Sequence, residues 1–164
     1  MTLKTTILTA AALLISGASL AGAQDLINEA GGWQIYQDQN MGGGCYMTTT
    51  FEDNSIVQVG HDFSESADFF TVFNPDWTDI TDGETYAMTF EMDGVTWTAD
   101  GHGMNTGELG GILVMVGDEN FFTDLGTKSS LVVSNEWGEV AHLDLGGARD
   151  AIIATSECLI EAAG

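Results

Sequence analysis

The stretch ETYAMTFEMDGVTWTAD, Glu84 to Asp100, decides the fold. Its first half alternates between apolar and polar side chains, and the apolar set is Tyr86, Met88, Phe90 and Met92. Asp93-Gly94 follows, a dipeptide that accepts the positive φ angles of a two-residue turn between antiparallel strands. The alternation then resumes through Val95, Trp97 and Ala99. Because a period of two places alternate side chains on one face of a strand, the stretch predicts a β-hairpin with one face toward the core.

Other segments show the same strand-like pattern. Strands are predicted at Trp33 to Asp38, Cys45 to Phe51 and Ser55 to Phe63, with a second hairpin from Ser130 to Leu145. Two further runs are mainly apolar without alternation. Phe69 to Phe73 predicts a central strand, and Gly111 to Val116 predicts a strand buried on both faces.

Two segments have helical features instead. The first is a short helix that Asp118 caps and Gly126 ends. The second is a C-terminal helix, whose inward face follows a period of three and four residues through Ala151, Ala154, Thr155, Cys158 and Ala162. We therefore predict a mostly β fold: a small antiparallel β-sandwich or barrel of about eight strands, with the short helix and the C-terminal helix packed on it.

The N-terminus has the pattern of a secretory signal peptide. Lys4 precedes an apolar run from Ile7 to Ile15, and small residues, Ala21-Gly22-Ala23, end the segment. The apolar run is shorter than the roughly 20 residues that span a bilayer, although an uncleaved membrane anchor is the alternative. We predict a signal peptide at residues 1–23 and a single exported domain at residues 24–164, periplasmic or extracellular, without membrane insertion after cleavage.

The charge of this domain is strongly negative. It contains all 25 acidic residues and two basic residues, Lys128 and Arg149, which gives a formal net charge of −23. Nucleic acid is excluded as a partner, because no basic surface exists to contact phosphates. A cationic protein or peptide, or a divalent metal, remains compatible with this charge. The alternative is an acidic surface that only maintains solubility, as in salty surroundings.

The two cysteines, Cys45 and Cys158, both have inward positions, Cys45 on a strand and Cys158 on the C-terminal helix. Two cysteines in an exported chain predict one disulfide bond. A reactive thiol is the alternative, but it needs a basic neighbour to lower its pKa, and the domain has almost no cations.

An acidic loop, NPDWTDITDGE, is the candidate binding segment. Its carboxylates are Asp76, Asp79, Asp82 and Glu84. Calcium prefers several such oxygen ligands, and Trp77 offers a stacking surface for a sugar. Trp137 is a second tryptophan placed beside a turn. The alternative is a pair of polar turns, because Asn, Pro, Asp and Gly are ordinary turn residues.

No other motif identifies a chemistry. The three histidines, His61, His102 and His142, lie about 40 residues apart without metal-ligand spacing. No G-x-S-x-G nucleophile motif and no phosphate-binding loop occur. We therefore predict no catalytic residue, no metal ligand and no cofactor.

The layout of the chain resembles a known family. The predicted signal peptide precedes GGW at the first strand, and a strand with a cysteine and further β structure follow. The short helix in NFFTDLGTKSSLVV and the strand EVAHLDLGG then lead into the C-terminal helix. This order resembles small uncharacterised exported proteins of Gram-negative bacteria and, more weakly, the invasion-associated locus B family of periplasmic proteins. The chain differs from that family in cysteine placement and acidity, and the resemblance defines no catalytic residues.

These observations predict a non-enzymatic exported protein that binds a cationic protein or peptide through an acidic surface. The alternative is a calcium- or glycan-binding module that uses the loop from Asp76 to Glu84 and Trp77. The sequence sets no oligomeric state.

Overall fold

The computed structural model describes residues 24–118, 120–136 and 138–164, so the predicted signal peptide (residues 1–23) and Trp137 lie outside the described residues. The strands are β1 (Gln24–Ala30), β2 (Trp33–Asp38), β3 (Gly44–Thr50), β4 (Ile56–Asp62), β5 (Ala67–Asn74), β6 (Thr85–Met92), β7 (Val95–Asn105), β8 (Gly110–Val116), β9 (Ser130–Asn135) and β10 (Gly138–Asp144). The helices are α1 (Asn120–Thr127) and α2 (Ala148–Ala163), and a 3-10 turn spans Gln39–Met41.

The strands form one antiparallel sheet in the order β1-β2-β3-β4-β5-β8-β7-β6-β9-β10. The first five strands follow one another in a meander. The chain then crosses from β5 to β6, and β7 and β8 return toward β5, which pairs with β8. The predicted fold class, mostly antiparallel β with a short helix and a C-terminal helix, is confirmed. The described sheet has ten strands rather than about eight.

The predicted hairpin is β6 and β7. Its apolar set is buried, with Tyr86, Met88, Phe90 and Met92 all at most 7% exposed. Asp93 and Gly94 have φ angles of 47° and 85°, and Met92 pairs with Val95 across this two-residue turn. The Asp93 carboxylate also accepts a hydrogen bond from the Ser129 backbone N–H at 2.7 Å. The turn is thereby joined to the segment that enters β9.

Aromatic rings fill the centre of the core around Phe121 of α1. The rings of Phe70, Phe90, Trp97 and Phe122 lie edge-on to the Phe121 ring, with centroid distances of 5.6–6.1 Å. The Trp97 indole N–H donates to the Asp124 carboxylate at 3.2 Å. As predicted, Asp118 lies at the start of this helix, where its carboxylate accepts from the Asn120 backbone N–H at 2.9 Å. These contacts attach α1 to the inner face of the sheet.

Helix α2 packs on β1, β2 and β3. The predicted disulfide bond between Cys45 of β3 and Cys158 of α2 is present, with a Cα–Cα distance of 6.1 Å. The inward face of α2 is confirmed, since Ala151, Ala154, Thr155 and Cys158 are buried and Ala162 is partly buried. Ala148 is buried as well. Neither helix in the described ranges has the length and apolar character that a membrane-spanning helix needs.

Of the two predicted apolar strands, the prediction for β5 is confirmed and the prediction for β8 is wrong. Phe69 to Phe73 lies in β5, in the middle of the strand order, as predicted. In contrast, β8 is not buried on both faces, because Met115 is 41% exposed and Leu113 is half-buried. The strand faces the core through Ile112, Val114 and the partly buried Val116. Its outer side chains were misassigned because both faces are apolar in sequence.

An aromatic row lies on the outer face near the first strands. Tyr36 and Tyr46 stack with their ring centroids 5.6 Å apart, and the Tyr46 and Phe69 rings are 6.5 Å apart across Gly60 of β4. Burial, and then the negative charge of Asp38, raises the pKa of Tyr46 to about 12. The outer face is therefore packed locally by this aromatic row.

Candidate functional site

The predicted acidic loop is the crossing from β5 to β6, and it lies against the end of β7. The Gly83 N–H donates to the Gly103 carbonyl and the Gly103 N–H donates to the Glu84 carbonyl, both at 2.8 Å. The Asn105 side-chain amide donates to the Ile80 carbonyl at 3.1 Å. These three bonds fix the backbone of the loop, because each one joins it to β7.

Glycine allows this close approach. A Cβ atom at Gly110 would collide with the Trp77 carbonyl oxygen, and one at Gly103 would collide with the Thr81 carbonyl oxygen. Neither glycine has a positive φ angle, so the constraint is space rather than backbone conformation. The two glycines therefore determine how closely the loop packs on β7 and β8.

Replacement of Gly110 by alanine is expected to displace the loop and to lower the free energy of unfolding by about 1–3 kcal/mol, because the added methyl group meets backbone. Gly117→Ala is the matched control, since nothing lies within 4 Å of a Cβ at that position and its cost should stay within about 0.5 kcal/mol. Urea denaturation measures both variants. Equal stability of the two would contradict the packing of the loop against β8.

The loop and the ends of neighbouring strands enclose a cleft of about 570 Å³. It is lined by Asp76, Trp77, Thr78, Asp79, Ile80, Glu84, Tyr86, Met88, Ile112 and Asn135. Four of the five predicted binding residues therefore line one cleft. Asp82 does not line it: its carboxylate turns to β7 and accepts from the Asn105 backbone N–H at 3.3 Å.

Two carboxylates of the cleft have no partner within the described part of the chain. Asp76 and Asp79 are exposed, and their carboxylates receive neither a hydrogen bond nor an ion pair there. The third carboxylate, Glu84, accepts from the Tyr86 hydroxyl at 3.2 Å, and that hydroxyl accepts from the Thr81 backbone N–H at 3.0 Å. Glu84 is thus held in place, while Asp76 and Asp79 are available to a ligand.

Cations do not compensate these charges. Among the described residues, the one ion pair joins the His61 ring to the Asp68 carboxylate at 2.7 Å. Lys128 follows α1 and Arg149 lies in α2, and neither lines the cleft. The cleft is therefore an anionic site with an apolar floor of Met88 and Ile112, each 2% exposed.

Metal ligands do not gather in the described ranges. No group of three His, Cys, Asp or Glu side chains there could hold a metal ion. His61 is half-buried and bonded to Asp68, whereas His102 and His142 are exposed on β7 and β10. The calcium alternative therefore gains no support from the geometry of the acidic loop.

The acidic rim of the cleft was predicted from the sequence, and its apolar floor was not. Tyr86, Met88 and Ile112 were identified only as core-facing, and Asn135 was not singled out. They lie on β6, β8 and β9, and they form a site only because the crossing loop lies beside them. The one signal in the sequence is the short distance between the acidic loop and Tyr86.

The fold places the chain in a structural class: a single antiparallel sheet with a C-terminal helix packed against its first strands. A crystal structure of the same class is invasion associated protein B from Bartonella henselae, with a TM-score of 0.56 and 14% sequence identity. The match covers 84% of this chain and 97% of that one. The resemblance predicted from the layout is therefore confirmed at the level of the fold. No protein-family model and no curated protein matches the sequence.

Proposed function

We propose that this chain is an exported, non-enzymatic protein that binds a cationic protein or peptide through its acidic surface, with the cleft under the loop from Asp76 to Glu84 as the contact. The observation that carries this proposal is the pair of carboxylates, Asp76 and Asp79, that have no partner among the described residues and lie beside an apolar floor. A solvating acidic surface needs no such floor.

The two parts of the cleft have different roles in binding. The charge of −23 on residues 24–164 attracts a cationic partner from a distance, and this attraction weakens as salt shortens the Debye length. The floor of Met88 and Ile112 binds an apolar side chain by removing it from water. A partner that carries both basic and apolar residues therefore fits the cleft better than a small cation.

The test is the binding of a nine-residue peptide of alternating arginine and leucine to residues 24–164, by calorimetry over a range of salt concentrations. The Asp76→Asn/Asp79→Asn variant is expected to lose at least about tenfold in affinity, because charged hydrogen bonds contribute roughly 1.5–3 kcal/mol. Glu157→Gln/Glu161→Gln is the matched control, since it removes the same charge from exposed positions of α2. Equal losses in the two variants would show attraction by net charge alone and contradict the cleft.

The glycan alternative also has a supporting observation, since Trp77 is half-buried and lines the cleft. An aromatic ring among carboxylates is an arrangement that sugars can stack on and hydrogen-bond to. In that case neutral oligosaccharides should bind, Trp77→Ala should abolish their binding, and salt should have little effect. Binding of the basic peptide without binding of sugars would remove this alternative.

A further inference from the structure

We infer that the cleft selects arginine over lysine, by receiving a guanidinium group beside Trp77 and a neighbouring apolar side chain on its floor. This inference rests on the proposed function and names the chemistry of the residue that enters the cleft. Three features of the site favour arginine: its hydrogen-bond acceptors, its aromatic wall and its size.

The acceptors match a planar donor group. Asp76 and Asp79 present four carboxylate oxygens on one short loop, and no donor in the described residues occupies them. A guanidinium has five N–H donors in a flat fork and can bind two carboxylates along two edges at once. An ammonium has three donors arranged around a point, so it engages such a set less completely.

Hydrogen bonds at the start of the loop hold the backbone of Asp76 in place before a ligand arrives. The Asp76 N–H donates to the Asn74 side-chain oxygen at 2.8 Å, and the Asn74 amide donates to the Ser55 hydroxyl at 2.9 Å. Asn74 is 5% exposed and Ser55 is fully buried. This buried pair anchors the first turn of the loop, so binding loses little backbone entropy at Asp76.

Trp77 supplies the feature that favours arginine over lysine. It lies next to Asp76, packs partly against the core and lines the cleft with its remaining surface. Its backbone N–H donates to the Asn74 carbonyl at 3.2 Å, and its carbonyl oxygen packs closely against Gly110. A guanidinium stacks on an indole face with cation–π and dispersion attraction, whereas a more strongly hydrated ammonium gives up more water to do so.

The volume of the cleft requires more than one side chain. About 570 Å³ lies within the usual range of roughly 300–1,000 Å³ for ligand sites, and the floor is apolar. Met88 and Ile112 of the core cluster form this apolar floor. The preferred segment is therefore an arginine with an adjacent aliphatic or aromatic residue.

The experiment compares three peptides that differ at one residue: acetyl-Gly-Leu-Arg-Leu-Gly-amide and the same peptide with lysine or with citrulline in place of arginine. Citrulline keeps the planar shape and lacks the charge. Calorimetry at 150 mM salt on residues 24–164 is expected to give about tenfold weaker binding for lysine and no measurable binding for citrulline, in keeping with the stacking and charge terms.

Variants at Trp77 separate stacking from charge. Trp77→Leu keeps an apolar side chain and should reduce the preference for arginine over lysine to about twofold or less, because it removes the π face. Equal affinities for the arginine and lysine peptides in the unsubstituted protein would overturn the inference and leave the proposed function standing. If neither peptide binds more tightly than citrulline, both the inference and the cationic-peptide function are wrong.

Discussion

Removal of the Cys45–Cys158 bond is expected to lower the free energy of unfolding by about 4–5 kcal/mol, the largest single effect that we predict. The bond closes a loop with a sequence separation of 113 residues, which is most of the domain. In the chain-entropy description, a cross-link of this length removes much of the freedom of the unfolded chain. The free energy of unfolding of a domain of this size is roughly 5–15 kcal/mol, so the loss is a large fraction of its stability.

The surroundings of the bond make this loss hard to compensate. The fully buried residues of α2 other than Cys158 are small: Ala148, Ala151, Ala154 and Thr155. The larger Ile152 and Leu159 are only partly buried at its edges. Each alanine buries little apolar area, so the packing of the helix on the sheet is weaker than that of a leucine-rich helix. Without the bond, α2 is therefore expected to separate from β3 before the sheet unfolds.

The measurement is urea denaturation of residues 24–164 with and without dithiothreitol. Cys45→Ser/Cys158→Ser should match the reduced protein and should not respond to the reductant. Ser156→Ala, an exposed change on the same helix, serves as the control and should stay within about 0.5 kcal/mol. If reduction leaves the denaturation midpoint unchanged, the bond does not stabilise the domain as argued.

The local parts of this fold were predictable from the sequence, and the reason is visible at the β6–β7 hairpin. Its alternation and its Asp93-Gly94 turn are properties of neighbouring residues, and the structure confirms both. Strand β1 was missed because Gln24 to Glu29 are all exposed, so no buried face produces a pattern. Strand β1 forms because it pairs with β2, and backbone pairing produces no periodic pattern of side chains in the sequence.

The candidate site was predictable in part for the same reason. Asp76, Asp79 and Glu84 lie within one short acidic segment that also contains Trp77, so the local sequence identifies these residues together. Asp82 belongs to the same acidic segment, but its carboxylate turns toward Asn105. The path of the loop across β7 determines this orientation, and the sequence does not show that path. The apolar floor comes from strands that are distant in sequence, and no local pattern brings Met88 and Ile112 under the loop.

Phe121→Ala is expected to lower the free energy of unfolding by about 3–5 kcal/mol, the usual cost of removing a buried ring. Phe121 is 3% exposed, and its ring meets four other aromatic rings at 5.6–6.1 Å. Those rings come from β5, β6, β7 and α1, so the phenyl group joins elements from both halves of the sheet. Edge-on aromatic pairs add roughly 0.5–1.5 kcal/mol beyond buried area.

The adjacent residue gives a matched control for this change. Phe122 has the same side chain on the same helix turn but is half-buried, and Phe121 is its one ring partner in the described residues. Phe122→Ala should therefore cost clearly less than Phe121→Ala, when both are measured by urea denaturation with the disulfide bond intact. Of the two rings, Phe121 is the one that contacts Phe70 and Phe90 at the centre of the sheet. Equal costs for the two variants would therefore contradict a special role of these ring contacts and indicate that α1 stabilises the domain through general burial.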